Sequence, residues 1–91
     1  MLTEVVLPKL GFTMEKGQIT KWIKKEGDFV KKGDILFEVE TDKVNMEVES
    51  KGEGFLRKII IQEGITVEIG TVIGIIADKD EKIPDKYFKK S

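Results

Sequence analysis

Gly17-Gln18-Ile19-Thr20-Lys21-Trp22-Ile23-Lys24-Lys25-Glu26-Gly27-Asp28-Phe29-Val30-Lys31-Lys32-Gly33-Asp34-Ile35-Leu36-Phe37-Glu38-Val39 decides the fold, because the chain repeats its pattern 37 positions later. Gly17, Gly27 and Gly33 return as Gly54, Gly64 and Gly70. Between them Ile19 matches Leu56, Trp22 matches Ile59, Ile23 matches Ile60, Val30 matches Val67, Leu36 matches Ile73 and Val39 matches Ile76; Glu26 matches Glu63. Glycines that keep register with six apolar partners imply two copies of one β motif, packed by a pseudo-twofold axis around a shared core.

Working outward, short apolar runs bounded by glycine or charged turns predict an all-β domain. The strands expected are Glu4 to Leu7, Gly17 to Ile23, Phe29 to Val30, Ile35 to Glu40, Asn45 to Glu49, Gly54 to Ile61, Thr66 to Val67 and Val72 to Ala77, with no helix. Ile35, Phe37 and Val39 alternate with Leu36, Glu38 and Glu40, and Met46 and Val48 with Glu47 and Glu49, the period of strands with one buried face. The two runs flank Thr41 to Val44 and read as an antiparallel hairpin. At Trp22-Ile23 and Ile59-Ile60-Ile61 the neighbours are apolar on both faces, so a bulge and a fully buried strand both remain open. Beyond Asp78 the chain has no period and few anchors. Residues 79–91 therefore read as a polar, mobile tail or the start of a linker, with Tyr87 and Phe88 unpacked, after a domain of residues 1–78.

Composition narrows the chemistry. Ninety-one residues at 40% hydrophobic and 36% charged describe one small soluble domain. No run approaches the roughly 18 apolar residues of a membrane span. The start Met1-Leu2-Thr3-Glu4-Val5 lacks a signal peptide's charged and apolar regions and reads as a natural N-terminus. With no cysteine and no histidine, disulfides, protein thiolates, zinc sites and the usual nucleophile–base pairs have nothing to use. The missing cysteine fits a reducing compartment, and the localisation expected is cytoplasmic. A net charge of −1 with interspersed signs argues against nucleic acid as partner.

What remains is the corner Glu40-Thr41-Asp42-Lys43-Val44. In a type I turn from Thr41 to Val44, Asp42 and Lys43 would take the central positions and point outward. The repeat is asymmetric here, since the second copy ends in a polar tail, so Lys43 is expected at one end of the molecule and the termini near the other.

This corner resembles the modification site of lipoyl domains from 2-oxo acid dehydrogenase complexes. Leu7-Pro8-Lys9-Leu10-Gly11-Phe12-Thr13-Met14, and Gly17-Gln18-Ile19 through Trp22 to Lys25-Glu26-Gly27-Asp28, resemble the same family, in register over about residues 3 to 78. The resemblance implies a flattened barrel or sandwich of two four-stranded antiparallel sheets, with the lysine at a tip of one sheet and both termini in the other. It implies lipoic acid in amide linkage on Lys43, and a non-catalytic, monomeric carrier domain. Glu40 and Gly27 match positions read by lipoate-attaching enzymes, and Asp42 and Val44 flank the lysine and shape its turn. The acids Glu38, Glu40, Asp42, Glu47 and Glu49 make this end negative, which suits basic active-site entrances.

The partners implied are a lipoate ligase or lipoyl transferase, a thiamin-diphosphate-dependent decarboxylase, an acyltransferase core and a dihydrolipoyl dehydrogenase. The parent implied is the dihydrolipoyl acyltransferase of a pyruvate or acetoin dehydrogenase complex, the alternative being a dihydrolipoyl dehydrogenase with an N-terminal lipoyl domain. A biotinyl carrier, the nearest rival, sets its lysine between methionines, whereas Lys43 stands between Asp42 and Val44. The glycine-cleavage carrier adds helical segments for which this chain has no room. An unmodified structural β module is the remaining reading.

Overall fold

The computed structural model describes residues 1–88. It has eight strands: β1 (Thr3–Val6), β2 (Lys16–Trp22), β3 (Phe29–Val30), β4 (Ile35–Glu40), β5 (Asn45–Glu49), β6 (Gly54–Ile59), β7 (Thr66–Glu68) and β8 (Val72–Ala77). They form two four-stranded antiparallel sheets, ordered β1-β8-β6-β3 and β5-β4-β2-β7. The body measures 39 × 31 × 20 Å, and its least dimension suits two stacked sheets about 10 Å apart. The expected flattened sandwich is the fold found.

The repeat is written into the hydrogen bonds. Gly27 N–H donates to the Leu56 carbonyl and Gly64 N–H to that of Ile19, while Leu56 N–H donates to Asp28 and Ile19 N–H to Ile65. Each bond is its partner's image after a shift of 37 residues. Two carboxylates complete the set: Glu26 accepts from Ile59 N–H at 2.7 Å and Glu63 from Trp22 N–H at 2.7 Å. Each copy thus satisfies a backbone donor at a strand end of the other. The core lies on the axis between them, where Leu36, Val39, Ile73 and Ile76 are all buried with Leu7, Ile19, Val30 and Leu56. The Trp22 and Phe37 rings stack at a tilt with centroids 5.2 Å apart.

The ambiguity at Trp22 and Ile59 resolves into bulges. The ladder slips between Ile19 and Lys21, and again between Leu56 and Lys58. Past each strand end one carbonyl takes two donors: Leu36 accepts from Ile23 and Lys24, and Ile73 from Ile60 and Ile61. For that reason β6 stops at Ile59, short of the expected Ile61. A third slip, between Ile35 and Phe37, turns both Leu36 and Phe37 inward despite their adjacency.

The expected unpacked tail is corrected as far as Phe88. Ile83 is buried on a cluster with Ile75 and Ala77, edged by Leu2, Ile60, Val72 and Tyr87. Asp85–Tyr87 form a short 3-10 helix where no helix was expected. The Arg57 guanidinium donates to the Asp78 and Glu81 carbonyls at 2.6 and 2.8 Å, and the Tyr87 hydroxyl donates to Glu4. Phe88 takes the Lys58 ammonium over its ring, 5.6 Å from the centroid. The Met1 ammonium lies 2.9 Å from Asp78 and 3.1 Å from Glu81. Asp78 is the repeat image of Thr41. The N-terminus and the start of the tail therefore meet where a second hairpin would stand, in the sheet that does not contain Lys43. Residues 89–91, the rest of the expected tail, lie outside the described residues.

Candidate functional site: a lysine at a hairpin tip

Strands β4 and β5 pair until Glu40 meets Asn45, which leaves Thr41 to Val44 as the connection. Thr41 N–H donates to the Val44 carbonyl at 2.9 Å. The Thr41 hydroxyl organises the rest, accepting from Lys43 N–H at 3.2 Å and Val44 N–H at 3.1 Å, with the Val44 carbonyl also 3.2 Å away. A simple type I turn would bond Val44 N–H to the Thr41 carbonyl; here a side-chain oxygen replaces it. Sequence reasoning assigned the shaping of this turn to Asp42 and Val44 and missed Thr41. The available signal was a threonine at the first position of a turn.

Lys43 and Asp42 both point into solvent, as expected of the two central positions. Among the described residues no carboxylate lies within ion-pair distance of the Lys43 amine. Its one polar neighbour is the Thr13 hydroxyl at 3.5 Å. Converting this amine to an amide breaks no ion pair, so the lysine fits a covalently attached acyl group.

Across from the hairpin runs the loop between β1 and β2. Met14 N–H donates to the Gly11 carbonyl, Leu10 N–H points at the Met14 sulfur, and Met14 is anchored against the core. Phe12 at its tip is 99% exposed. Thr13 and Phe12 are further neighbours of Lys43 to which the sequence reading gave no role.

The other sites expected fall in different places. Glu40 is exposed at the end of β4, between Asn45 and Gln18 on the neighbouring strands. Gly27 is not brought to Lys43. It follows Trp22, which pairs with Phe37 at the far end of the ladder from the hairpin. Its φ of +96° with open space around it accounts for a glycine on backbone grounds. Glu38 and Glu47 stand directly opposite each other on the outer face, an arrangement that costs stability between like charges. Lys21 on β2 faces Glu38 from its other side. Among the described residues no cluster of metal ligands forms, and no helix is long and apolar enough to cross a membrane.

The structure is thus a two-sheet β domain with a twofold repeat and a solvent-facing lysine at one hairpin tip. Residues 3–76 match the biotin and lipoyl attachment family, whose model is described as "Biotin-requiring enzyme", and the chain belongs to this family. Its lipoyl side is shown by the solution structure of the lipoyl domain of the 2-oxoglutarate dehydrogenase complex from Azotobacter vinelandii. The two are 32% identical with a TM-score of 0.67, covering 82% of this chain and 95% of that one. The chain is thus a lipoyl domain, a carrier of lipoic acid on a lysine. It is also 46% identical, over 88% of its length, to the dihydrolipoyllysine-residue acetyltransferase component 2 of the mitochondrial pyruvate dehydrogenase complex of Arabidopsis thaliana. A pyruvate dehydrogenase E1 component subunit beta from Rhizobium meliloti is 42% identical over 93% of the chain. The chain spans 15% and 19% of the length of these two relatives.

Proposed function

We propose that Lys43 is the lysine that bears the lipoyl group, and that the chain shuttles acyl groups and reducing equivalents between the active sites of a 2-oxo acid dehydrogenase complex. The observation that carries the reading is a solvent-facing amine at the tip of the β4–β5 hairpin, on a turn that Thr41 fixes and with no ion-pair partner among the described residues. When attached, the group supplies the redox-active sulfurs that this cysteine-free chain lacks. The domain contributes presentation. The β4–β5 ladder gives the lysine a rigid base, and four freely rotating side-chain bonds add reach. Together with the lipoyl chain they give an arm on the order of 14 Å. Tethering then replaces diffusion by a high effective concentration at each partner site. Nothing in the hairpin acts as general acid, base or nucleophile toward a substrate, so the domain is a non-catalytic carrier.

The partners follow from that role: a lipoate ligase or lipoyl transferase, then a thiamin-diphosphate-dependent decarboxylase, an acyltransferase core and a dihydrolipoyl dehydrogenase. The parent is the dihydrolipoyl acyltransferase of a pyruvate or acetoin complex, which the acetyltransferase relative favours. The carrier unit is residues 1–78, onto which the following segment folds back as far as Phe88, and the setting is cytoplasmic. Glu40 and Gly27 serve recognition by the attaching enzyme from the two ends of the β4 ladder. Incubation with a lipoate ligase, ATP and lipoate, then peptide mass mapping, tests the reading: one adduct, on the peptide containing Lys43, is expected. Biotin on that peptide after expression with both attaching enzymes would instead favour the biotinyl carrier.

A further inference from the structure

Between the Lys43 hairpin and the loop of residues 10–14 lies a shallow groove that the carrier role does not use. Leu10, Phe12 and Met14 form one wall, Thr41 and Val44 the other, and Lys43 lies on its rim. Val44 is 48% exposed and the Phe12 ring is uncovered. A single exposed aromatic is ordinary. This one stands over a groove whose rim holds the modified residue, and the Lys43 side chain leans across it to Thr13.

We infer that this groove is a resting seat for the substituent of Lys43 itself: the saturated chain of a lipoyl amide lies against Phe12, Leu10 and Val44 whenever no partner holds it. The inference rests on the reading of Lys43 given above. Three features commit the groove to this occupant. The chain starts at the rim, so no length is spent in reaching the seat. Its methylenes match the apolar walls, and an amide on Nζ keeps one N–H that can donate to the Thr13 hydroxyl. Because the occupant is tethered, its effective concentration is on the order of millimolar, so a contact too weak to hold a free ligand is populated. A seat this open also releases readily to a partner's active site.

The test compares the 91-residue chain, lipoylated and labelled with 15N at the lysine Nζ, with its lipoylated Phe12→Ser variant. Phe12 makes no core contact, and equal thermal midpoints of the two proteins verify that the fold is kept. In the parent, nuclear Overhauser contacts are expected from the arm methylenes to the Phe12 ring and Val44 methyls, with an order parameter for the Lys43 amide near the rigid value of about 0.8. In Phe12→Ser the contacts vanish and the value falls below about 0.6. A parent arm below about 0.6 without contacts, or equal values in both proteins, would overturn the seat. So would contacts to Phe12 that come only from an added decarboxylase, which would make the groove a partner's docking site. Failure of Lys43 to take lipoate is a separate result that refutes the carrier reading and the seat together.

Discussion

Truncating Leu36 to Ala probes the shared core at its centre. Leu36 is 1% exposed and its side chain lies in the cluster with Val39, Ile73 and Ile76. The change removes three carbons, roughly 0.8 kcal/mol each in transfer, or about 2.4 kcal/mol. The cavity adds to this, because neighbours in two sheets cannot collapse freely, and brings the total to about 3–5 kcal/mol. The Leu36 carbonyl still receives Ile23 and Lys24 N–H, so no backbone term intervenes. A domain of this size has about 5–14 kcal/mol in all. The loss corresponds to a drop in Tm of at least about 12 °C, taking about 4 °C as the smallest shift per kcal/mol. Urea unfolding should show a lower midpoint at an unchanged slope, since the surface exposed on unfolding stays the same. A Tm within about 4 °C of the parent would refute the placement of Leu36 on the axis and the sheet pairing behind it.

Other outcomes follow from the same geometry. Glu26→Ala and Glu63→Ala each remove the acceptor of one N–H of the opposite copy, and each should cost about 1 kcal/mol, discounted for exposure; denaturation that separates the two widely would contradict the symmetry. Gly27→Ala should cost about 1–3 kcal/mol despite open space, because its φ is positive, and a neutral result would leave that glycine without a backbone explanation. The tail clamp should depend on pH from both sides. The Met1 amine is raised above 8.0, first by its bond to Asp78 and then by Glu81, so its contribution is complete below 8.0 and is lost as pH rises through the raised value. Glu81 is lowered from 4.5, first by the Asp78 N–H and then by the Met1 ammonium, so its contribution is present above 4.5 and is lost as pH falls through the lowered value. Backbone order parameters at Ile83 and Tyr87 should therefore be highest between 4.5 and 8.0, and a flat profile would show that the ion pairs do not hold the tail.

The repeat made most of the fold legible, since glycines and apolar residues in common register leave few ways to pair eight strands. The bulges at Thr20 and Arg57 showed only as an ambiguity a few residues on, because one extra residue changes the face that each following side chain takes. The packed tail was missed although its signal is in the chain. Ile75 and Ala77 stand where the first copy has Glu38 and Glu40, so the outer face of β8 is apolar where that of β4 is charged, and Ile83 covers it. Its other anchors are the Arg57 and Tyr87 hydrogen bonds, the Lys58 ammonium over Phe88 and a terminal amine, which leave no period to read. Lys43 was reached through the residues around it and not through spacing, because one of 15 lysines has no distinction in composition. Thr41 was legible as a threonine at the first position of a turn, whereas the exposure of Phe12 is a property of the folded surface.

The most direct test moves the lysine without changing the composition. Exposed amines resemble one another in pKa, so an attaching enzyme must read the turn that presents Lys43. The parent, Lys43→Gln and the double change Lys43→Val with Val44→Lys should be treated with a lipoate ligase, ATP and lipoate, and their peptides mapped by mass. Lipoate is expected on Lys43 of the parent and on no lysine of either variant, all three remaining folded. Lipoate on another lysine of the parent, or equal incorporation into the double variant, would contradict a carrier built on Lys43.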